Sequence, residues 1–406
     1  MNIFKEIPPT AGWSISIKSL ILPLIKKCPA RGLEEEFKKY LGAPAALLTY
    51  SGTAAFYLIL ESLKKISGKT TVIIPAFVCP LIPLAIKRAG LKIKLCDINQ
   101  NDFDFNPGLL RKICAEDKDI LAILAVHLGG IPAELETISE IAKKDNIFLI
   151  EDCAQSLGAE YQDKKTGSFG EFAFFSLCRG KGLTIYEGGL AITNKPEYSW
   201  LLDTYARKAI PRSRLSETLK ILELPAYSLF YRPQLFWFAF RLPQIFWQML
   251  KNPVKAMGEY FDIDFPIHKV SGFRESLGYL FFNQLDENIQ QQRQKTADYL
   301  AALGGIPGIK PLVESARTKA SYPYLTLVFE DAGKRNRALK LFQNSGLGIS
   351  QIYLAAITDY PYLKNIVPDT DCPHARSLAE RTITLSTSKF LKETDLKNII
   401  HQLKKL

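Results

Sequence analysis

No two cysteines in this chain are spaced as a metal or redox pair: Cys28, Cys79, Cys96, Cys114, Cys153, Cys178 and Cys372 are scattered singly. Without a CxxC pair or a signal peptide at the N-terminus, the thiols read as reduced and the protein as cytoplasmic. Histidine is scarce, and His127, His268, His374 and His401 lie too far apart to suggest a local metal site, so no metal is expected. No GxGxxG fingerprint follows the early strands, which argues against a nicotinamide dehydrogenase. There is no basic arm interleaved with aromatics and no helix-turn-helix or RNP-like signature, so nucleic acid is not an expected partner. Repeats and low-complexity tracts are absent, and the apolar patch at 19–25 is too short to span a bilayer.

What is present suits a two-domain globular protein. The 406 residues are 47% hydrophobic and carry a formal net charge of +11, a balance suited to an anionic substrate or a membrane surface. Residues 1–32 read as a lead-in arm. A helix over 33–41, acid-first and base-last as the helix dipole prefers, stops at Gly42. From there strands at 45–49, 72–74, 93–96, 120–126 and 147–150 alternate with helices at 54–63, a segment ending near Gly90, 109–114 and 135–144. Apolar strands without period-2 polarity, alternating with helices, predict a parallel sheet covered on both faces. The alternation then breaks: strands at 172–177 and 190–193 have only loops between them, so part of the sheet should be antiparallel. A long helix at 281–300 follows. The tail, with strands at 324–329 and 382–385, a strand-like 348–353 and helices at 333–342 and 393–403, reads as a small α+β domain.

Four segments fall at carboxyl ends of predicted strands, where such sheets bind ligands. Ser51-Gly52-Thr53-Ala54-Ala55 opens a helix with small residues, whose N–H groups and Thr53 hydroxyl suit a phosphate, although Ser-Gly-Thr is also a common N-cap. Asp152, after the strand at 147–150, needs a cationic partner if buried, and is otherwise an N-cap. Ser176 offers a second hydroxyl. Lys181, held between Gly180 and Gly182 against apolar walls that would desolvate its ammonium, is placed to condense with an aldehyde, although most lysines are solvated surface residues. Phosphate grip, carboxylate and lysine in that order fit pyridoxal 5′-phosphate, with Gln155 within reach of the ring hydroxyl. His127 reads equally as a pocket-lining residue and as a satisfied histidine at a strand end. Cys153 and Cys178 read as packing residues.

These segments resemble the DegT/StrS-type family of nucleotide-sugar aminotransferases, which are fold-type I pyridoxal-phosphate enzymes. The matching signatures are Ser51-Gly-Thr-Ala-Ala55, Ile74-Pro-Ala-Phe77, Val126-His-Leu-Gly129, Ile150-Glu-Asp-Cys-Ala-Gln-Ser-Leu-Gly-Ala159, Phe175-Ser-Leu177 followed by Lys181, Glu187-Gly-Gly189 and Ala379-Glu-Arg-Thr-Ile-Thr-Leu385. The resemblance implies an α/β fold of the type I transferase kind, with a mixed, mostly parallel sheet between helices and a smaller C-terminal α+β domain. It implies an arm (1–32), a large cofactor-binding domain (33–265) and a small domain (266–406), paired as a homodimer with active sites at the interface. Catalysis would fall to Lys181 and Asp152. Cofactor contacts would come from Gly52, Thr53, Ala54, Cys79, Asp152, Gln155, Ser176 and Lys181. The expected reaction moves an amino group from an amino acid, glutamate in the first instance, to a nucleotide-linked keto-sugar for surface polysaccharide or glycoconjugate synthesis. Relatives that dehydrate the sugar carry histidine at the lysine position, so Lys181 favours transamination. The alternative is a non-catalytic or regulatory protein of the same fold, with or without a membrane association.

Three places depart from the family pattern. Cys79 stands where an aromatic usually stacks on the cofactor ring, so either Cys79 or the nearby Phe77 covers it. The segment 268–274 lacks the asparagine that crosses to the partner's phosphate in many members. The tail reads Thr384-Leu-Ser-Thr-Ser-Lys389 without the usual histidine. An aromatic insert at about 217–265, with prolines at 225, 233 and 243, is read three ways: packed on its own subunit or the dimer partner, a peripheral membrane contact through 224–247, or a substrate lid.

Overall fold

The computed structural model describes residues 4–406. Seven strands form the large sheet: β1 (Ala45–Thr49), β2 (Thr71–Pro75), β3 (Lys92–Cys96), β4 (Ile120–Val126), β5 (Phe148–Asp152), β6 (Phe172–Ser176) and β7 (Gly189–Thr193). Their order is β1-β7-β6-β5-β4-β2-β3. All neighbours run parallel except β7, which is antiparallel to β1 and β6. The mixed, mostly parallel α/β sheet expected from the sequence is therefore present, with its antiparallel member where the helical alternation breaks.

The strands are apolar runs because both faces are covered. Ala45 and Leu47 face one core with Phe56, Leu60, Ile74 and Phe174, under helices Gly52–Leu63 and Leu81–Arg88. Ala46 and Leu48 face the opposite side with Phe37, Phe175, Leu277 and Phe281. Farther along that second face, Ile73, Ile123 and Leu149 pack against Leu110 and Ile138 of helices Pro107–Glu116 and Leu135–Lys144. Only β3, an edge strand, shows exposed positions, and Lys92 and Lys94 there discourage edge-to-edge pairing.

A second, antiparallel sheet orders β8 (Ile309–Pro311), β9 (Tyr324–Phe329) and β10 (Thr382–Ser386) as β8-β9-β10. Helices Leu285–Leu303, Ala332–Phe342 and Glu393–Leu403 close its core through Tyr299, Leu303, Ala338, Phe342 and Ile399. A small three-stranded ribbon of Lys164–Lys165, Glu160–Tyr161 and Thr318–Lys319 joins the two regions.

Three expectations change in detail. The helix read over 281–300 is two, Gly272–Phe282 and Leu285–Leu303, because the chain turns at Asn283 and Gln284. That turn lets Phe281 and Leu285 both reach the core on the second face of the large sheet. The strand-like 348–353 forms only a single bridge, Ser350 to Thr384, after Gly348 takes a positive φ of 69°. The insert is helical: Arg214–Phe230, Pro233–Phe236, a π segment Trp237–Arg241, Leu242–Met249 and Pro253–Ala256. Its first helix packs on its own chain through Leu224, Tyr227 and the following Tyr231.

The register leaves no room for a side chain at the start of β7. Gly189 pairs with both Thr49 and Ser176, and a Cβ there would collide with the backbone of Ser51 and Gly52. Gly189→Ala should therefore lower stability by about 2–3 kcal/mol, read as an earlier urea midpoint; an unchanged midpoint would contradict this packing.

Candidate functional site

The carboxyl ends of β1, β5 and β6 and the amino end of β7 share one edge of the sheet, which brings Ser51, Asp152, Ser176 and Gly189 together. Ser51 caps helix Gly52–Leu63, its hydroxyl accepting from the Ala54 N–H at 3.1 Å, and the first i to i−4 bond runs from the Ala55 N–H to the Ser51 carbonyl. Ala54, expected among the phosphate contacts, thus has its N–H engaged by the cap. The N–H groups of Gly52 and Thr53 are left at the open helix end. Gly52 lies close against β6: an added Cβ would come within 3.1 Å of the Ser176 Cβ. Among the described residues neither the Thr53 nor the Ser176 hydroxyl has a hydrogen-bond partner. Two open N–H groups, two free hydroxyls and a helix dipole form an anion cradle.

Asp152 ends β5 and is 6% exposed. Among the described residues its carboxylate accepts one hydrogen bond, from the Ala154 N–H at 2.9 Å. Burial pushes the carboxyl from an ordinary 3.8 to about 6, against the opposing pull of that N–H and of the Lys181 charge. Lys181 is half-buried. Cys79 shares this field: burial raises its thiol to about 12, with Asp152 raising it further and Lys181 lowering it. Phe77 is enclosed instead, its ring stacked 6.1 Å from Phe103 and edge-on to Tyr353 at 5.4 Å. Of the two residues considered for the ring face, Cys79 is the one that shares the field of Asp152 and Lys181.

Gln155 is wired to the second sheet. Its Oε1 accepts from the Gly129 N–H at 2.9 Å and from the Tyr324 hydroxyl, while Nε2 donates to the Tyr353 hydroxyl over a long 3.4 Å. Tyr324 and Tyr353 were not legible as site residues, because only the folded chain carries β9 and the segment after Gly348 to Gln155. Glu259, within the insert region, accepts from the Leu354 N–H and the Tyr360 hydroxyl and holds the same segment.

His127 resolves in favour of the satisfied reading. Its Nδ1 accepts from the Ala133 N–H at 2.9 Å, so Nε2 carries the proton and donates to Glu151 at 3.0 Å. Glu151 also accepts from the N–H groups of Gly167, Phe169 and Gly170. His127, Glu151 and Cys153 lie close enough together to resemble a metal cluster. The histidine has no lone pair left for an ion, and the trio reads as an anchor beneath the site.

The loop 178–182 is clamped from both sides. The Trp13 N–H donates to the Lys181 carbonyl at 2.8 Å, the Thr10 hydroxyl to the Gly180 carbonyl at 2.8 Å and the Asn288 amide to the Gly182 carbonyl at 2.8 Å. Tyr227 in turn donates to the Trp13 carbonyl at 2.7 Å. At 268–274, Arg274 is fully buried and forks onto Glu217, which His268 also approaches at 3.4 Å. The side chains in place of the missing asparagine thus form an internal ion-pair cluster.

The model of the DegT/DnrJ/EryC1/StrS aminotransferase family matches residues 28–219 and 269–404. The chain is 24% identical over 378 residues to the spore coat polysaccharide biosynthesis protein SpsC of Bacillus subtilis, covering 90% of this chain and 86% of that protein. It is 35% identical over 162 residues to the GDP-perosamine synthase of Escherichia coli O157:H7, a match covering 40% of this chain and 43% of that one. In fold it resembles the putative sugar aminotransferase Spr1654 from Streptococcus pneumoniae in its PLP form, with a TM-score of 0.75, 21% identity and 98% of each chain covered. It likewise resembles Helicobacter pylori PseC, an aminotransferase involved in the biosynthesis of pseudoaminic acid, with a TM-score of 0.74, 18% identity and 99% of each chain covered.

The state of Asp152 gives a pH signature that needs no ligand. A carboxyl with a raised folded pKa stabilises the fold below about pH 4 and loses that contribution as pH rises through about 6. Asp152→Asn removes this loss. The cofactor-free variant should therefore gain about 2 kcal/mol on the wild type between pH 4 and pH 8, followed by urea titration. A difference that stays flat across that range would mean the carboxyl is not strained.

Proposed function

Because the chain belongs to the DegT/DnrJ/EryC1/StrS aminotransferase family, whose members depend on pyridoxal phosphate, we propose that it transfers an amino group from an amino acid to a nucleotide-linked keto-sugar. Glutamate is the first donor to test. The observation that carries this reading is the set of unmatched groups on one sheet edge: two free hydroxyls at an open helix end, a buried carboxylate with a single donor, and a lysine beside it. Their chemistry fits the cofactor part by part. Gly52, Thr53 and Ser176 would hold its phosphate, Asp152 its ring nitrogen and Gln155 its ring oxygen, with Cys79 against a face of the ring.

When bound, the cofactor supplies an electron sink for the carbanion left at the donor's Cα. Asp152 does its part by charge: a cation beside it restores the ionised form that burial opposes, so the carboxylate keeps a ring nitrogen protonated. Lys181 would supply the amine that holds the cofactor's aldehyde and, once freed, would take the donor's Cα proton and return it to the cofactor. The clamp of Trp13, Thr10 and Asn288 holds the backbone of that loop while the side chain moves. Net positive charge favours the diphosphate-bearing substrate.

The division into arm (1–32), large domain (33–265) and small domain (266–406) is supported by the two separate sheets. A homodimer is supported by Leu215, Leu219 and Leu222, which leave an exposed apolar stripe on the outer face of helix Arg214–Phe230. The non-catalytic alternative draws no support from the site, which retains both Lys181 and Asp152.

Cofactor-loaded protein mixed with glutamate should lose the absorbance of the lysine-bound cofactor and release 2-oxoglutarate. Lys181→Ala should slow that half-reaction by about 10³-fold or more, and borohydride should fix a pyridoxyl group on residue 181 of the wild type in a peptide map. A map without that adduct, or no oxo acid from glutamate, glutamine or aspartate, would sink the proposal.

A further inference from the structure

Between Leu224 and Gly258 the chain has no aspartate or glutamate, yet it carries Arg232, Arg241, Lys251 and Lys255 among aromatic residues that include Trp237 and Trp247. This stretch lies within the gap between the two matched parts of the family, 28–219 and 269–404, so it belongs to this chain and not to the shared reaction. It forms a continuous helical run from Pro233–Phe236 through Trp237–Arg241 to Leu242–Met249.

One side of that run is held to the protein. The Glu6 N–H donates to the Pro233 carbonyl at 2.9 Å, and Arg241 donates to Asn344 at 3.2 Å. On the other side Phe238 stacks on Phe4 at 5.9 Å, and the stripe beyond it is open to solvent. Phe238, Leu242, Phe246 and Met249 recur every three or four residues and are 42, 46, 54 and 77% exposed. No residue from Trp237 to Met249 is buried, an arrangement that an apolar helix in water does not adopt without a missing contact.

We propose that this helix lies flat on an anionic phospholipid surface, its Phe238-Leu242-Phe246-Met249 stripe entering the headgroup boundary and its exposed cations meeting the lipid charge. Among the described residues no helix is long and apolar enough to cross a membrane, which leaves an in-plane contact as the way such a stripe meets lipid. Charge separates this occupant from a second copy of the chain. An isologous contact would set the exposed Arg232 and Lys251 of two stretches against each other with no acid in either stretch to pair them, whereas anionic headgroups complement them. The proposal stands apart from the assigned reaction, because none of these side chains lies among the residues that would hold the cofactor.

The test sediments the full-length, cofactor-loaded protein with vesicles of phosphatidylcholine alone or of phosphatidylcholine with phosphatidylglycerol. Partition into the anionic vesicles alone is expected. It should fall by about tenfold or more in the triple variant Leu242→Gln, Phe246→Gln, Met249→Gln and by about fivefold in Lys251→Gln. All four positions are exposed, so folding and the glutamate half-reaction should be unchanged. Absence of partition into anionic vesicles, or equal partition of wild type and triple variant, would overturn the proposal. So would a triple variant whose sedimentation coefficient drops without vesicles, since the stripe would then be a face between copies.

Discussion

The close passage of β7 against the Ser51-Gly52 turn is the constraint on which the site depends. Gly189 must lack a side chain because its backbone lies against that turn while pairing with Thr49 on one side and Ser176 on the other. An antiparallel strand inserted between β1 and β6 therefore aligns the open end of helix Gly52–Leu63 with the hydroxyl of Ser176. A second close passage completes the arrangement: a Cβ on Gly12 would strike the Gly180 backbone and the Tyr231 hydroxyl, so the arm also reaches the lysine loop only as glycine.

Two adjacent carboxylates show how local geometry decides chemical role. Glu151 and Asp152 are consecutive on β5 and face opposite sides, as the pleat requires. Glu151 receives N–H groups from Gly167, Phe169 and Gly170 together with the His127 ring, enough to keep a buried anion satisfied. Asp152 receives one donor and stays strained in its ionised form. The satisfied acid fixes the strand end, and the unsatisfied one is left with affinity for a cation. Preorganisation of this kind places the energetic cost of burying charge in folding, so that a cation set beside Asp152 would relieve it.

Much of this was legible in the sequence because it rests on local patterns. The apolar runs of β1, β2, β4 and β5, the small residues after Ser51 and the glycines around Lys181 each carry their meaning within a few residues. The antiparallel member was inferred from the missing helix between β6 and β7. What escaped depends on contacts distant in sequence. The break at Asn283 and Gln284 carries no proline or glycine; it follows from the need of Phe281 and Leu285 to share a core with Phe37 and Leu183. Gly348 to Tyr353 reads as a strand by composition, yet the Gly348 turn limits its pairing to Ser350, and Tyr353 reaches Gln155 instead. Cys79 and Phe77 could not be told apart until the ring of Phe77 was seen to be enclosed by Phe103 and Tyr353.

The insert shows how an addition to a shared fold becomes part of its scaffold. It enters where the family pattern stops at residue 219, and a free appendage there would leave the reaction centre untouched. This one does not hang free at its root: Tyr227 donates to the Trp13 carbonyl, and the Trp13 N–H donates to the carbonyl of Lys181. Two hydrogen bonds thus separate an aromatic helix from the backbone of Lys181, and Arg274 ties the same helix, through Glu217, to the carbonyl of Glu187 just before β7. The buried charge at 268–274, where the sequence lacks an asparagine, is turned inward, and it holds the insert against the strand that aligns the site.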